Sequence, residues 1–547
     1  MKKVFFLLIL TSGLTVIAQS QQRTVPSEKP RLIVEIVVSQ MRYDYINRYW
    51  EKFSDGGFKL LVNEGTFCKN ARYNYLLTQS YAGLATISTG SNPSVHGIVS
   101  DKWYSRVNGQ EIDAVVDEKM TTVGGSFFSG KMSPKNLVTS TLGDELIMYN
   151  PKSKVIGISL DPGSSILLTG HNATGVYWLD TEKGNWISSS YYMNTLSAWV
   201  DTFNAKGFSK LYTEREWNAL NPIQTYEEAD TNKVKVPEAK IKLVDKLKSM
   251  WDGLIREKKS SIDYTTLFDS PFGNLLTKDF AIAAIIGENL GIDDDPDLLT
   301  ITFTATRSIG LEYGPHSIEV EDTYLKLDKE LAHFLEFISG TIGKENVLVV
   351  LTSDQGVASA PTHLEKSKIP GGYFEPKKAI ALLGSYLNAI YGQGNWVTAY
   401  YEKQIYLNHR LIEDSNIKLQ EIQQKVADFM LEFNGVANSA TGFALQNSNF
   451  TEGIFDKFQN SYNQRRSGDI IINLEPGWVE SNGHVTSGNS SYNYDVHVPL
   501  IWYGWKVKRR SILAPVNIID IAPTLSTLLG VTWPNGSNGN PVKELIE

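Results

Sequence analysis

The stretch Leu32-Ile33-Val34-Glu35-Ile36-Val37-Val38, followed at once by Ser39-Gln40, decides the fold class of this sequence. A short run so rich in Val and Ile indicates a strand buried on both faces of a parallel sheet. Similar runs recur along the chain, each followed by a helical pattern: Val155 to Leu160, Leu298 to Thr304, Val347 to Leu351 and Val498 to Tyr503. Alternating strands and helices predict an α/β fold, with a mostly parallel central sheet and helices on both faces. In such sheets chemistry lies at the carboxyl ends of the strands.

Two of the intervening helices can be predicted in detail. Near the C-terminus, Asp520 is expected to cap a helix whose first turn contains Pro523. A longer amphipathic helix is predicted from apolar residues spaced three and four apart: Val320, Tyr324, Leu327, Leu331, Phe334 and Ile338.

Two stretches interrupt the strand–helix pattern, and we predict that both are cap insertions over the core. Residues 181–272 are rich in Trp, Tyr, Asn, Lys and Glu, while residues 377–465 contain a helical pattern and possible strands. The predicted α/β core then consists of three parts, which are residues 30–180, 273–376 and 466–547.

The N-terminus has the pattern of a secretory signal peptide, which we assign to residues 1–18. Lys2 and Lys3 precede an apolar run from Val4 to Ala18, shorter than the ~20 residues that a spanning helix needs. A retained membrane anchor is the alternative interpretation. No later stretch is long and apolar enough to span a bilayer, so we expect an exported protein that is periplasmic, outer-membrane-associated or extracellular.

Composition limits the possible functions and metal sites. The 547 residues include 52 Lys and Arg against 60 Asp and Glu, and the net charge of −8 argues against a nucleic-acid binder with a broad basic face. The single cysteine, Cys68, excludes an internal disulfide and a thiolate zinc cluster. Any metal site must therefore use His, Asp and Glu, and the chain has only 8 histidines.

Six segments in order along the chain carry a family resemblance: Ser39 to Tyr45, Thr89 to Ile98, Gly314 to Glu319, Ser353 to Gly356, Asp495 to Leu500 and Asp520 to Leu525. Together they resemble the alkaline phosphatase superfamily, specifically its bacterial branch near the type I phosphodiesterase/nucleotide pyrophosphatases. The resemblance implies an alkaline-phosphatase-like fold. It also implies hydrolysis of phosphate mono- or diesters by two metal ions about 4 Å apart, which hold the attacking and leaving oxygens.

The resemblance places the family's nucleophile on Ser80, at the start of a helix-like run. Because Ser is also a favoured helix cap, we interpret Ser80 as a cap and not as an active nucleophile. The substrate-contacting Asn of close relatives falls on Asp101, which would repel a phosphate, and their Lys-x-Arg falls on Asp161-Pro162-Gly163. The six metal-ligand positions fall on Ser39, Arg307, Leu311, Asp354, Gln355 and Gly488.

Of those six positions, only Asp354 keeps a ligand of the family type, so we expect no metal cofactor. One carboxylate cannot hold two zinc ions, and a guanidinium repels a divalent cation. We therefore expect Arg307 to replace the metal and to pair with Asp354. A mononuclear site rebuilt from Asp354, Asp101 and His363 is an alternative, as is a shifted ligand at His484, which we interpret as a loop histidine. The motif histidines His96, His171, His316 and His497 are predicted to be hydrogen-bonded supports.

These substitutions lead us to predict a catalytically inactive pseudophosphatase that serves as a binding or assembly subunit in the cell envelope. Its partner would be another envelope protein. The cleft side chains would form a salt-bridge or anion site: Ser39, Asp101, Arg307, Asp354 and Gln355. The alternative is a metal-dependent phosphate monoesterase or phosphodiesterase with Ser80 as nucleophile and zinc in a rebuilt site.

Overall fold

The structure, a computed structural model, describes residues 28–227 and 262–547. The predicted signal peptide, residues 1–18, lies outside the described residues, and so does the part of the first predicted insertion from 228 to 261. Within the two described ranges, no helix combines the length and the apolar character needed to cross a membrane.

The strands of the described residues form one large sheet and several small ones. In chain order they are β1 (Leu32–Val38), β2 (Thr66–Cys68), β3 (Ala71–Arg72), β4 (Lys102–Ser105), β5 (Gln110–Asp113), β6 (Thr122–Val123), β7 (Val155–Ser159), β8 (Gly175–Leu179), β9 (Trp186–Ser189), β10 (Asp297–Phe303), β11 (Val347–Thr352), β12 (Gly372–Phe374), β13 (Val397–Tyr401), β14 (Gln404–Leu407), β15 (Val436–Thr441), β16 (Ile470–Leu474), β17 (Trp478–Glu480), β18 (Leu500–Gly504), β19 (Arg510–Ile512) and β20 (Val516–Asn517).

The large sheet contains ten of these strands, in the order β19-β2-β18-β11-β1-β10-β7-β8-β9-β6. Its central strands β11, β1, β10, β7 and β8 are parallel, which confirms the predicted α/β class. The run at Val498 to Tyr503 becomes β18, which is antiparallel to both β11 and β2, so its prediction as a parallel strand is wrong. A strand buried on both faces has the same apolar pattern in either direction, so the pattern cannot specify its orientation.

The helices cover both faces of the large sheet and also accompany the small sheets. The α-helices are α1 (Asp44–Arg48), α2 (Phe58–Glu64), α3 (Ser80–Thr89), α4 (Pro93–His96), α5 (Leu142–Tyr149), α6 (Pro162–Thr169), α7 (Ala198–Ala205), α8 (Phe208–Thr213), α9 (Pro271–Glu288), α10 (Ala305–Tyr313), α11 (Ile318–Thr341), α12 (Pro361–Lys366), α13 (Pro376–Tyr391), α14 (His409–Asp414), α15 (Leu419–Met430), α16 (Gly442–Asn447), α17 (Gly453–Ser461), α18 (Asn493–Val496), α19 (Ile521–Leu529) and α20 (Lys543–Ile546).

The two helices predicted in detail differ in outcome. All six apolar residues of the predicted long helix are buried along α11, which confirms that prediction. Asp520 is the N-cap residue of α19, as predicted, but its side chain does not cap the helix, because its carboxylate accepts the backbone N–H groups of Asn517 and Asn540, at 2.9 and 2.8 Å. A short 3-10 turn over Ile518–Asp520 gives Asp520 a helical backbone, which removes the extended geometry of a cap.

β1 lies at the middle of the molecule and explains where the site forms. All seven of its residues are buried, and β10 and β11 flank it in register, with Leu32 opposite both Asp297 and Val347. Ile33 and Val37 belong to one core cluster, while the alternate residues belong to the other. Because the three strands are parallel, their carboxyl ends lie at one edge of the sheet.

A smaller antiparallel sheet, in the order β13-β14-β16-β15, forms within and just beyond the second predicted insertion. β16 lies past residue 465, the predicted end of that insertion. Helices α13 and α15 pack on this sheet and bury their own apolar cluster, which includes Leu383, Ile422 and Ile470. The β13–β14 hairpin connects through only two residues, Glu402 and Lys403, and this tip reaches the site described next.

Candidate active site

The carboxyl ends of β1 and β11 meet at Asp354, which is fully buried. Ser39, the residue after β1, donates its hydroxyl to Asp354 Oδ2 at 2.5 Å. The backbone N–H of Gln40 donates to Asp354 Oδ1 at 2.9 Å. The sequence prediction that Ser39 and Asp354 share one site therefore agrees with their direct contact.

Ser80 is the first residue of α3, and its hydroxyl donates to Asp354 Oδ2 at 2.5 Å. The N-cap residue is Gln79, and no side chain caps the helix, so the interpretation of Ser80 as a cap is wrong. The side chain of an N-cap residue accepts a backbone N–H of the first turn. The Ser80 hydroxyl instead donates to the buried Asp354 carboxylate. Gly83 allows this approach, because a Cβ there would lie 2.0 Å from the carbonyl oxygen of Asp354.

The Asp354 carboxyl has a pKa raised above its usual value, and the main cause is burial. The hydrogen bonds from Ser39, Ser80 and Gln40 and the charge of Arg307 oppose that effect. A carboxylate with a raised pKa that already holds a serine hydroxyl is arranged to accept the proton of that hydroxyl.

Arg307, on α10 just after β10, forms an ion pair with Asp101 at 3.3 Å. The predicted ion pair of Arg307 with Asp354 is wrong. Asp101 lies nearer because the backbone N–H of Tyr81, in the first turn of α3, holds its carboxylate at 3.2 Å. Burial raises the pKa of Asp101 to about 6, and the charge of Arg307 opposes the rise.

Asp161 and Gly163, where the resemblance expects the Lys-x-Arg of close relatives, both lie against Tyr81. Tyr81 donates its hydroxyl to Asp161 Oδ1 at 3.0 Å. Gly163 leaves room for this ring, because a Cβ at that position would lie 2.0 Å from the Tyr81 ring. A tyrosine–aspartate pair therefore occupies the place where the resemblance expects Lys and Arg, and the charge of Arg307 interacts with both Asp101 and Asp354.

A cavity of about 170 Å³ opens beside this group. It is lined by Gln40, Gln79, Arg307, Leu311, Gln355, Glu402, Asn482, His484, Ser487, Gly488 and Asn489. Four predicted metal-ligand positions are among them, namely Arg307, Leu311, Gln355 and Gly488. Ser80 and Asp354 are each adjacent in sequence to a lining residue. The positions that the resemblance assigns to one site are thus brought together.

Sequence reasoning missed several lining residues, above all Gln79, Glu402 and Asn489. Glu402 belongs to the second insertion, which no family motif covers. A Glu-Lys pair between two strands is also not a recognised hairpin signal, since such turns favour Asn-Gly or Asp-Gly. Gln79 precedes the nucleophile position directly, and that adjacency was the one available signal.

The histidines do not assemble a metal site. His363 stacks on His316 with ring centroids 3.9 Å apart, and His484 is exposed at the cavity rim. Across residues 28–227 and 262–547, no group of three or more His, Cys, Asp or Glu side chains could hold a metal ion. The mononuclear site of Asp354, Asp101 and His363 therefore does not form.

All four motif histidines have hydrogen bonds, as predicted for structural supports, and His316 Nε2 lies 3.1 Å from the Ser359 hydroxyl. His96 is buried between the Thr86 hydroxyl and the Ile98 backbone N–H, and burial lowers its pKa to about 3. His171 contacts the Asp144 carboxylate at 2.8 Å. His497 contacts the carbonyl oxygen of Lys69 at 2.9 Å.

The donor set at the strand ends does not fit two zinc ions. Zinc takes about four N, O or S ligands. Here Asp354 is engaged by two hydroxyls and a backbone N–H, while Leu311 and Gly488 offer no side-chain ligand. Arg307 adds a positive charge at the same place. We therefore derive the chemistry of the site from its own side chains.

Comparison with known proteins defines the class. The chain belongs to the type I phosphodiesterase/nucleotide pyrophosphatase family, whose model matches residues 33–493. It is similar to the alkaline phosphatase PafA of Elizabethkingia meningoseptica, with 36% identity over 542 residues and 96% of each chain covered. It is equally similar to the alkaline phosphatase PhoV of Synechococcus elongatus, with 36% identity over 521 residues, covering 95% of this chain and 93% of PhoV. The crystal structure of wild-type PafA superposes with a TM-score of 0.86 at 34% identity, covering 95% of this chain and 99% of PafA.

These similarities confirm the resemblance to the alkaline phosphatase superfamily and the fold that it implies. They also overturn the prediction of an inactive binding or assembly subunit, since relatives aligned over nearly the whole chain are named alkaline phosphatases. That prediction rested on the changed metal positions and on the interpretation of Ser80 as a helix cap. In the structure the Ser80 hydroxyl instead donates to the buried Asp354 carboxylate, beside the cavity that Arg307 lines.

Proposed function

We propose that this protein is a phosphoric ester hydrolase that acts on phosphate monoesters through Ser80. The observation that carries the proposal is the Ser80 hydroxyl, donated to buried Asp354 at 2.5 Å in the first turn of α3. Two full-length relatives named alkaline phosphatases support the reaction class. The cavity of about 170 Å³ favours a small group such as a phosphoryl, since pockets for larger ligands measure roughly 300–1,000 Å³.

In the proposed first step, Ser80 Oγ attacks the phosphorus atom of the ester while its proton passes to Asp354 Oδ2. The bond from phosphorus to the ester oxygen breaks, and this oxygen takes a proton from an acid or water at the site and leaves as the alcohol. In the second step, water attacks the phosphoserine and releases phosphate, and Asp354 returns the proton to Ser80 Oγ. The raised pKa of the Asp354 carboxyl favours its part as the base.

Two features would bind the phosphoryl oxygens. The N-terminus of α3, a helix of 10 residues that begins at Ser80, attracts an anion, and the Tyr81 N–H there already donates to the Asp101 carboxylate at 3.2 Å. Arg307 supplies the positive charge from the cavity wall. Its partner Asp101 competes for that charge, so we expect the anion to bind best when Asp101 is protonated.

The test is hydrolysis of p-nitrophenyl phosphate, with bis-p-nitrophenyl phosphate and p-nitrophenyl sulfate for comparison. We expect turnover of the monoester, with Ser80→Ala and Asp354→Asn each at least about 10²-fold slower. Ser88→Ala is the matched control, because Ser88 is a buried serine of the same helix that donates to Leu167 O instead. A Ser80→Ala variant as active as the wild type, or a wild type without turnover, would contradict the proposal.

We also propose that the chain is exported. The support is the N-terminal pattern of Lys2 and Lys3 followed by the apolar run to Ala18. A C-terminally tagged chain should be processed near residue 18 and should fractionate outside the cytoplasm. Full-length protein in the cytoplasmic fraction would contradict it. An envelope protein partner remains a prediction.

A further inference from the structure

The β13–β14 hairpin turns in a conformation that its residues disfavour. Tyr401 pairs with Gln404, so Glu402 and Lys403 alone form the loop, with φ of 47° and 67°. Loops of this kind prefer Gly, Asn or Asp, because a longer side chain at positive φ crowds the backbone. Glu and Lys at both positions indicate that these side chains are needed where the tip places them.

Contacts from two distant segments hold the tip against the cavity. Lys403 is 2% exposed, and its ammonium donates to the carbonyl oxygen of Asn489. Glu402 Oε2 accepts from Gln79 Nε2 at 2.9 Å and from Asn489 Nδ2 at 3.3 Å. Among the described residues, the hydrogen bonds of the Glu402 side chain both use Oε2, which leaves Oε1 for a bound ester. The hairpin thus positions one carboxyl group rigidly at the cavity wall.

The position of Glu402 relates it directly to the proposed chemistry. Glu402 and Arg307 line the same cavity, and the residue that binds Glu402, Gln79, directly precedes Ser80. Burial raises the pKa of Glu402, and the nearby charge of Glu480 raises it further, while Lys403 and Arg307 oppose the rise. A carboxyl group in these surroundings keeps its proton more readily than an exposed one.

We propose that Glu402 donates the proton to the leaving oxygen of the ester, an inference that rests on the proposed hydrolase function. As Ser80 Oγ bonds to phosphorus and its proton moves to Asp354, the phosphorus–oxygen bond breaks and Glu402 protonates the departing oxygen. The attacking water then bonds to phosphorus and gives a proton to the Glu402 carboxylate, while Asp354 returns its proton to Ser80 Oγ as phosphate leaves. Because alkoxides are poor leaving groups, this acid matters most for alkyl phosphates.

The experiment compares leaving groups in the Glu402→Gln variant. We expect kcat/KM for glycerol 2-phosphate to fall by about 10²–10⁴-fold, whereas p-nitrophenyl phosphate, whose leaving group needs no proton, changes less than about tenfold. Glu413→Gln is the matched control, an exposed carboxylate of the same insertion. Glu402→Gly, which relieves the positive φ, should keep or raise the Tm and show the same selective loss. It also provides the comparison if the Gln variant does not fold.

The outcomes separate this inference from the proposed function. An equal loss of kcat/KM on both substrates would mean that Glu402 has a structural role. No loss on either substrate would mean that it takes no part in the reaction. Both results overturn the inference. In those cases turnover that is abolished by Ser80→Ala still supports the hydrolase. A wild type that hydrolyses neither substrate overturns the hydrolase proposal and this inference with it.

Discussion

Replacing Glu35 by Gln should stabilise the protein at neutral pH and reduce the decline of its stability between pH 5 and 8. Glu35 lies in the middle of β1, between Thr300 on β10 and Val350 on β11, and is 2% exposed. Neither of its carboxylate oxygens has a hydrogen-bond partner among the described residues. Burial therefore raises its pKa from 4.5 to about 8.

The size and sign of the effect follow from that shift. Between pH 4.5 and 8 the folded chain keeps the Glu35 proton while the unfolded chain has lost it. The free energy of unfolding therefore falls by about 1.4 kcal/mol per pH unit as the pH rises, or about 3 kcal/mol by pH 7. Above pH 8 the carboxylate is ionised in both states and its contribution levels off. Gln has the same shape and no charge, so the variant lacks this decline.

The assay is guanidinium unfolding of wild type and Glu35→Gln at pH 5, 6, 7 and 8. The difference between the two unfolding free energies isolates Glu35 from the other buried acids, such as Asp495, whose pKa burial raises to about 7. We expect this difference to grow with pH in favour of the variant, and Glu413→Gln to show no such trend. Parallel stability curves for wild type and Glu35→Gln would refute the argument that an unpartnered carboxyl group is buried in β1.

Three further predictions concern the site and the core. Sulfate should bind the wild type more weakly as the pH rises through about 6, because ionised Asp101 neutralises Arg307. The Asp101→Asn variant should bind sulfate more tightly at pH 7.5 and lose this pH dependence. Calorimetry that shows identical pH profiles for the two proteins would contradict the prediction. Gly83→Ala should lower the unfolding free energy by about 1–3 kcal/mol and reduce turnover, because the new Cβ would lie 2.0 Å from the carbonyl oxygen of Asp354. An unchanged Tm would contradict this prediction. Cys68 is buried and its pKa is raised to about 12 by burial, so iodoacetamide at pH 8 should label it only after denaturation, as mass spectrometry can check.

The sequence alone predicted the features that depend on short-range patterns. The unbroken apolar run at Leu32 to Val38 specifies a strand buried on both faces. The apolar spacing of three and four along α11 specifies an amphipathic helix. The family resemblance also placed Ser39, Ser80 and Asp354 in one site, and Ser39 and Asp354 meet because they follow the neighbouring parallel strands β1 and β11.

The tertiary structure decided which groups contact each other at that edge. The direction of β18, the pairing of Arg307 with Asp101 and the donation of Ser80 to Asp354 all depend on packing between segments far apart in sequence. A charge pairs with whichever opposite charge the fold brings nearest, and no pattern along the chain encodes that distance. The position of Glu402 at the cavity also depends on tertiary packing, because only the folded hairpin, held by Asn489, brings this part of the second insertion to the site.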